Sequence, residues 1–278
     1  MKPFKRVAII GTGLIGGSIG LALRKSKLER VGFDRPSVLK EALKRGAVDE
    51  KAKSLAEAVA SADLVILALP VGEILVVLPE IVRQAGAQTI ITDTGSTKKE
   101  ICQLAEALGL KNFVGGHPLA GKEDSGIQNA DGRLFSGRNW FLCSKRNSAA
   151  LVRMKNFAKM LGAKPVVVEP GEHDRILAAT SHLPQLVSTI LSATVAELLG
   201  KEANKIKTFA GSGLYDATRL ASSPFSMWGD VFASNREGVF RALKHFADKT
   251  STLADRFSNL KNVQREFEAA NKMRAGLE

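Results

Sequence analysis

Val7-Ala8-Ile9-Ile10-Gly11-Thr12-Gly13-Leu14-Ile15-Gly16 decides how the rest of the chain is read. Four apolar residues of strand length run into three glycines at GxGxxG spacing, and a helical pattern follows at once. Gly11 permits a tight turn, Gly13 lets the backbone approach a pyrophosphate, and Gly16 lets helix and strand pack closely. The unpaired amides at the helix start, at Leu14 and Ile15, then face the phosphates. Eighteen residues beyond Gly16, Asp34 ends the next strand-like run, where a carboxylate accepts hydrogen bonds from the ribose hydroxyls. That carboxylate repels a 2′-phosphate, so NAD is expected over NADP, although Arg35 offers such a phosphate a partner. Without its flanking strand and helix, the same motif would be an ordinary glycine turn.

Outward from this motif, strand-like runs at residues 6–10, 30–34, 63–69, 89–94, 112–114, 139–144 and 165–169 alternate with amphipathic stretches at 16–25, 36–45, 72–84, 98–108 and 148–161. Such alternation predicts an α/β, mostly parallel, doubly wound sheet covered on both faces. After Pro170-Gly171 strands cease, and Leu, Ala and Val recur at helical spacing. The division expected is a dinucleotide-binding domain over 1–170 and an all-α domain over 171–278. The helix expected from about 174 to 199 is apolar around much of its circumference and needs burial on several sides. A homodimer built on two such domains would supply it.

Composition narrows the function. The chain has 278 residues, 45% hydrophobic and 24% charged, as in a soluble globular protein. Apolar runs such as 64–71 fall short of a membrane span. Lys2, Lys5 and Arg6 lead directly into a strand rather than a cleavable leader, so a cytoplasmic location is expected. Cys102 and Cys143 lie far apart without metal-ligand or CxxC spacing, so neither a disulfide nor a metal is expected. The net charge of +12 is scattered through amphipathic segments without aromatic interleaving, which argues against nucleic acid and suits a small anionic substrate.

Four histidines serve the whole chain. His117, within Gly115-Gly116-His117-Pro118, follows a predicted strand, where carboxyl ends of strands face the cofactor crevice. An imidazole there suits acceptance of a proton from a substrate hydroxyl while hydride leaves the same carbon. Ser96 ends the preceding strand and either orients that hydroxyl or caps the helix beginning near Lys98. His182 precedes Leu183-Pro184 in the apolar helix, where it is a core residue or faces the cleft through a local irregularity at Pro184. Arg219 either clamps a carboxylate or pairs with Asp216 at the surface.

Taken together, GTGLIGGS, TDTGSTK, GGHPLAGKEDSG, SHLP and DATRLASSPFSMW, in this order across residues 5–260, resemble the prephenate dehydrogenase family of tyrosine biosynthesis, which includes arogenate and cyclohexadienyl dehydrogenases. The resemblance implies a Rossmann-like nucleotide domain followed by a helical dimerisation domain, with oxidative decarboxylation of prephenate to 4-hydroxyphenylpyruvate. It further implies that His117 bonds the ring hydroxyl with help from Ser96, and that Arg219 binds a substrate carboxylate. His182 lines the same pocket, and Glu123 and Asp216 belong to its polar network. Prephenate is a dicarboxylate, in keeping with the positive charge. Arogenate, differing in one amino group, is the alternative substrate, and a non-catalytic NAD-binding protein is a more distant one. A β-hydroxyacid dehydrogenase would call for a catalytic lysine and leaves His117 unexplained.

Overall fold

A computed structural model describes residues 4–122, 124–144 and 148–277. The chain forms two compact units. The first comprises Met1–Leu177 with Ser223–Asn235, and the second Ala178–Ser222 with Arg236–Glu278. The sequence boundary near Pro170 is the start of a helix, which the first unit keeps through Leu177.

The first unit is built on eight strands: β1 (Arg6–Ile10), β2 (Glu29–Phe33), β3 (Glu50–Lys51), β4 (Leu64–Leu67), β5 (Ile90–Asp93), β6 (Phe113–Pro118), β7 (Asn139–Cys143) and β8 (Lys164–Val168). They form one sheet in the order β3-β2-β1-β4-β5-β6-β7-β8. Every neighbouring pair is parallel except β6 with β7. The central strands β4 and β5 are buried throughout, as uninterrupted apolar or β-branched runs require when both faces are covered. Alternation along β1 sends Val7 and Ile9 to one face and Ala8 and Ile10 to the other. Ile19 of α1 (Leu14–Ala22) packs on the first face. After α2 (Pro36–Lys44) come α3 (Leu55–Val59), α4 (Val71–Gln84) and α5 (Lys99–Ala107), which bring Val59, Ile74, Leu78 and Ile101 to the second face. Met154 and Phe157 of α6 (Ala149–Met160) return to the first.

The chain leaves β1 toward β2 and β3, then comes back to β4 on β1's other side. The order therefore reverses between β1 and β4, opening a crevice at their carboxyl ends where the glycine turn lies. Two short elements, β3 and α3, escaped the sequence reading because neither is long enough to show a period. One expectation is corrected: β6 does not stop near Val114 but continues to Pro118, so His117 sits within a strand. The extension is made by antiparallel pairing with β7, which sets His117 opposite Phe141. The unit is completed by α7 (Pro170–Leu177) and, after a return of the chain, α11 (Phe225–Ser234). The returning segment is tied in by Gly72 N to Asp230 Oδ2 at 3.0 Å, Thr97 Oγ1 with Ser234 Oγ at 2.7 Å, and Asn235 Nδ2 to the Asp174 carbonyl at 2.7 Å.

The second unit is helical: α8 (Leu183–Leu199), α9 (Ile206–Phe209), α10 (Ser212–Thr218), α12 (Arg236–Asp255) and α13 (Leu260–Ala275). A π-turn, Ala178–His182, precedes α8, so the irregularity expected around Pro184 is present one turn earlier. The buried residues of α8 are polar. Gln185 donates to the Leu220 carbonyl at 2.8 Å and Ser188 accepts from Ala221 N at 3.2 Å. By length and composition alone the helical stretch Pro170–Phe209 could cross a membrane, a property that core helices of soluble proteins share.

Candidate functional site

The glycine turn has the conformation its chemistry requires. Gly11 adopts φ +89°, and a side chain there would come within 2.3 Å of the Ala68 carbonyl oxygen. At Gly16 a Cβ would lie 1.9 Å from the Gly11 carbonyl oxygen, so only glycine lets α1 sit this close to β1. Gly13 differs: a Cβ there would meet nothing within 4 Å. The fold does not demand glycine at this position, whereas a ligand lying against the backbone would. Leu14 and Ile15 open α1 half-exposed, and no side chain caps the helix, which leaves its first amides available to an anion. Asp34, just past β2, joins this turn: its Oδ2 accepts from Thr12 N at 2.6 Å and from Thr12 Oγ1 at 3.2 Å, while Oδ1 accepts from Arg35 N at 2.7 Å. The Arg35 side chain is 85% exposed. Glycine turn and carboxylate thus form one cradle of the shape and polarity that a dinucleotide's pyrophosphate and ribose need.

Along the same sheet edge, β5 and β6 carry the second cluster. Lys98, wholly buried, pairs with the equally buried Asp93 and donates to the Gly116 carbonyl at 2.8 Å. Asp93 also accepts from Gly116 N at 3.1 Å and Gly95 N at 2.8 Å. Opposite charges compensate each other's desolvation here, and the pair bolts the 94–98 turn, with half-buried Ser96, to the strand bearing His117. A side chain at Gly116 would strike the Asp93 carbonyl oxygen at 2.4 Å, which explains one of the glycines beside His117.

Ser96 does not cap α5. That role falls to Asp174, whose Oδ1 accepts from Lys98 N at 2.7 Å and whose Oδ2 accepts from Lys99 N at 2.8 Å. Asp174 Oδ1 also lies 2.7 Å from His173 Nδ1, and His173 Nε2 lies 2.9 Å from His117 Nδ1. All three side chains are buried, and Phe141 packs against both rings. Sequence reasoning missed His173, Asp174, Lys98 and Asp93 as neighbours of His117. The available signal was an adjacent His-Asp pair close behind Pro170, near the start of the helix that follows the last strand. Cys102 lies close by, but burial pushes its thiol up to about 12, so it stays protonated and is no nucleophile at neutral pH.

The remaining sequence-selected residues belong to the second unit, apart from Glu123, which lies outside the described residues. His182 ends the π-turn and is buried. Asp216 on α10 and Arg219, at the start of the following 3₁₀ turn Arg219–Ser222, are both exposed and one helical turn apart.

Comparison with known proteins matches both parts of the chain. The family described as prephenate dehydrogenase, nucleotide-binding domain, matches residues 19–167, and prephenate dehydrogenase, dimerization domain, matches residues 169–269. A prephenate dehydrogenase of Lactococcus lactis is 33% identical over 282 residues, covering 99% of this chain and 78% of the relative. The crystal structure of an A. aeolicus prephenate dehydrogenase in complex with hydroxyphenyl propionate and NAD+ superposes with a TM-score of 0.86 at 28% identity, covering 99% of this chain and 98% of that one. The Synechocystis arogenate dehydrogenase structure gives 0.86 at 27% identity, covering 98% and 100%.

Proposed function

The chain belongs to the prephenate dehydrogenase family, and from that premise we propose that it oxidises prephenate with NAD, releasing carbon dioxide and forming 4-hydroxyphenylpyruvate. The observation that carries the proposal is the pairing, on one sheet edge, of an open glycine cradle after β1 with a buried histidine on β6. In this reading Gly11, Gly13, Leu14, Ile15 and Gly16 receive the pyrophosphate. Asp34 receives the ribose hydroxyls, which favours NAD over NADP, and exposed Arg35 is left at the cradle's rim. Bound NAD supplies the hydride acceptor.

His117 takes the proton of the ring hydroxyl, and Ser96 orients that hydroxyl. Arg219 grips a substrate carboxylate, beside His182, with Glu123 and Asp216 in the surrounding polar network. Loss of hydride and carbon dioxide makes the ring aromatic, so the protein's main tasks are alignment and polarisation of one O–H bond. A cradle of this kind also suits a non-catalytic nucleotide binder, but such a protein has no need of a histidine on a buried polar chain. Likeness to the Synechocystis enzyme favours arogenate as the second reading. The helical unit would pair two copies into a cytoplasmic homodimer, the second copy covering the apolar surface that one copy leaves outward.

The test incubates purified protein with prephenate and then arogenate, each with NAD and NADP, and follows absorbance of the reduced nicotinamide. Prephenate with NAD is expected to be turned over fastest. Faster turnover of arogenate would select the second reading, and no turnover of either acid would overturn both.

A further inference from the structure

We infer that His173 and Asp174 are positioning residues for His117, fixing which of its ring nitrogens carries the proton. The inference rests on the proposed role of His117 and extends it. Both Asp174 oxygens already accept backbone N–H groups of α5, so toward His173 this carboxylate is again an acceptor, and His173 Nδ1, 2.7 Å away, must hold a proton. In a neutral imidazole the other nitrogen is then bare. His173 Nε2 is therefore an acceptor, and His117 Nδ1, 2.9 Å from it, must be the donor. His117 is left with an unprotonated Nε2, the form able to take a proton from a hydroxyl.

The chain of groups is held rigidly. Asp174 is anchored to the first turn of α5 and, through its own carbonyl, to Asn235. Phe141 flanks both imidazoles, at 6.2 Å from His117 and 5.2 Å from His173 between ring centroids. When His117 accepts a proton at Nε2, the ring becomes an imidazolium whose Nδ1–H already points at His173, and the charge is stabilised in place. The proton stays on His117; His173 keeps its Nδ1 proton, and Asp174 remains the acceptor as before. The logic is that of a carboxylate orienting a catalytic imidazole, with a second imidazole inserted between them.

The test reads tautomers directly. With four histidines in the chain, ¹⁵N-histidine-labelled protein gives a spectrum that single variants can assign. Long-range ¹H–¹⁵N correlations at about pH 8.5, roughly two units above the ordinary histidine value, should show His117 protonated at Nδ1 and bare at Nε2, with His173 the same. In His173→Leu the His117 signals should lose that single form, and kcat should fall on the order of 10- to 100-fold with KM for prephenate nearly unchanged. His173→Gln, whose amide donates to Asp174 while its oxygen accepts from His117, should restore the tautomer and most of the turnover.

His117 found protonated at Nε2 in the unaltered protein, or full kcat in a folded His173→Leu, would overturn the inference. Should His173→Leu fail to fold, the unaltered spectrum and His173→Gln still decide it. Because the tautomer is read without substrate, an unaltered protein that turns over neither acid would defeat the proposed function while leaving the tautomer result to stand or fall separately.

Discussion

The two units solve the burial of apolar surface in opposite ways. In the sheet unit Val7, Ile9, Leu64, Ile66, Leu67 and Trp140 are fully buried, and helices on both faces close the core within one chain. In the helical unit Leu198 is 82% exposed, Phe209 80%, Leu260 70% and Phe267 67%. Large apolar side chains left this open on several helices of one unit call for a covering surface. The contrast separates two jobs: the sheet unit carries a nucleotide cradle and a histidine whose geometry is complete as folded, and the helical unit presents the surface on which a second copy would sit.

The largest effect should come from opening the closed core. Trp140 packs between Phe135 and Phe157, at 5.2 and 6.4 Å between ring centroids. Trp140→Ala should cost about 3–5 kcal/mol, read as a lower urea midpoint, and a cost under about 1 kcal/mol would show that this core does not hold the unit. Next is the open surface. Ile190 and Leu198 lie two turns apart on one stripe of α8. The double variant Ile190→Asp with Leu198→Asp should weaken self-association by more than roughly 2 kcal/mol, converting a micromolar dimer to monomer in sedimentation equilibrium. A dimer that persists would move the interface off this stripe, and an unaltered chain that is monomeric at micromolar concentration would remove the dimer altogether. The smallest effect sharpens the contrast from the other side. Val76 is 78% exposed, with no other large apolar side chain of α4 in that class, and Val76→Asp should change stability by no more than about 0.5 kcal/mol. Loss of dimer on this change would assign the interface to the wrong unit.

The parts of the fold legible in the sequence are those that physics writes locally. Central parallel strands buried on both faces leave continuous apolar runs, so β1 is read to the residue and β4 and β5 nearly so. The glycine turn is readable because Gly11 and Gly16 answer to clashes with adjacent backbone. The rest is non-local. Gly115 and Gly116 carry no side-chain pattern, and the extension of β6 that holds His117 depends on pairing with β7. His173 meets His117 across 56 positions of sequence, and nothing around either one announces the other. The return of Ser223–Asn235 to the sheet unit rests on contacts such as Asn235 with Asp174, again beyond any local period. The apolar helix was readable as needing cover, but which residues remain outward is a matter of packing.

The most direct test of the account is the turnover of His117→Ala with prephenate and NAD beside the unaltered protein. Removal of the proton acceptor should lower kcat by roughly 10²-fold or more while the nucleotide still binds in the undisturbed cradle. A folded variant that keeps near-native kcat would contradict the account, since the proton would then leave the substrate by another route.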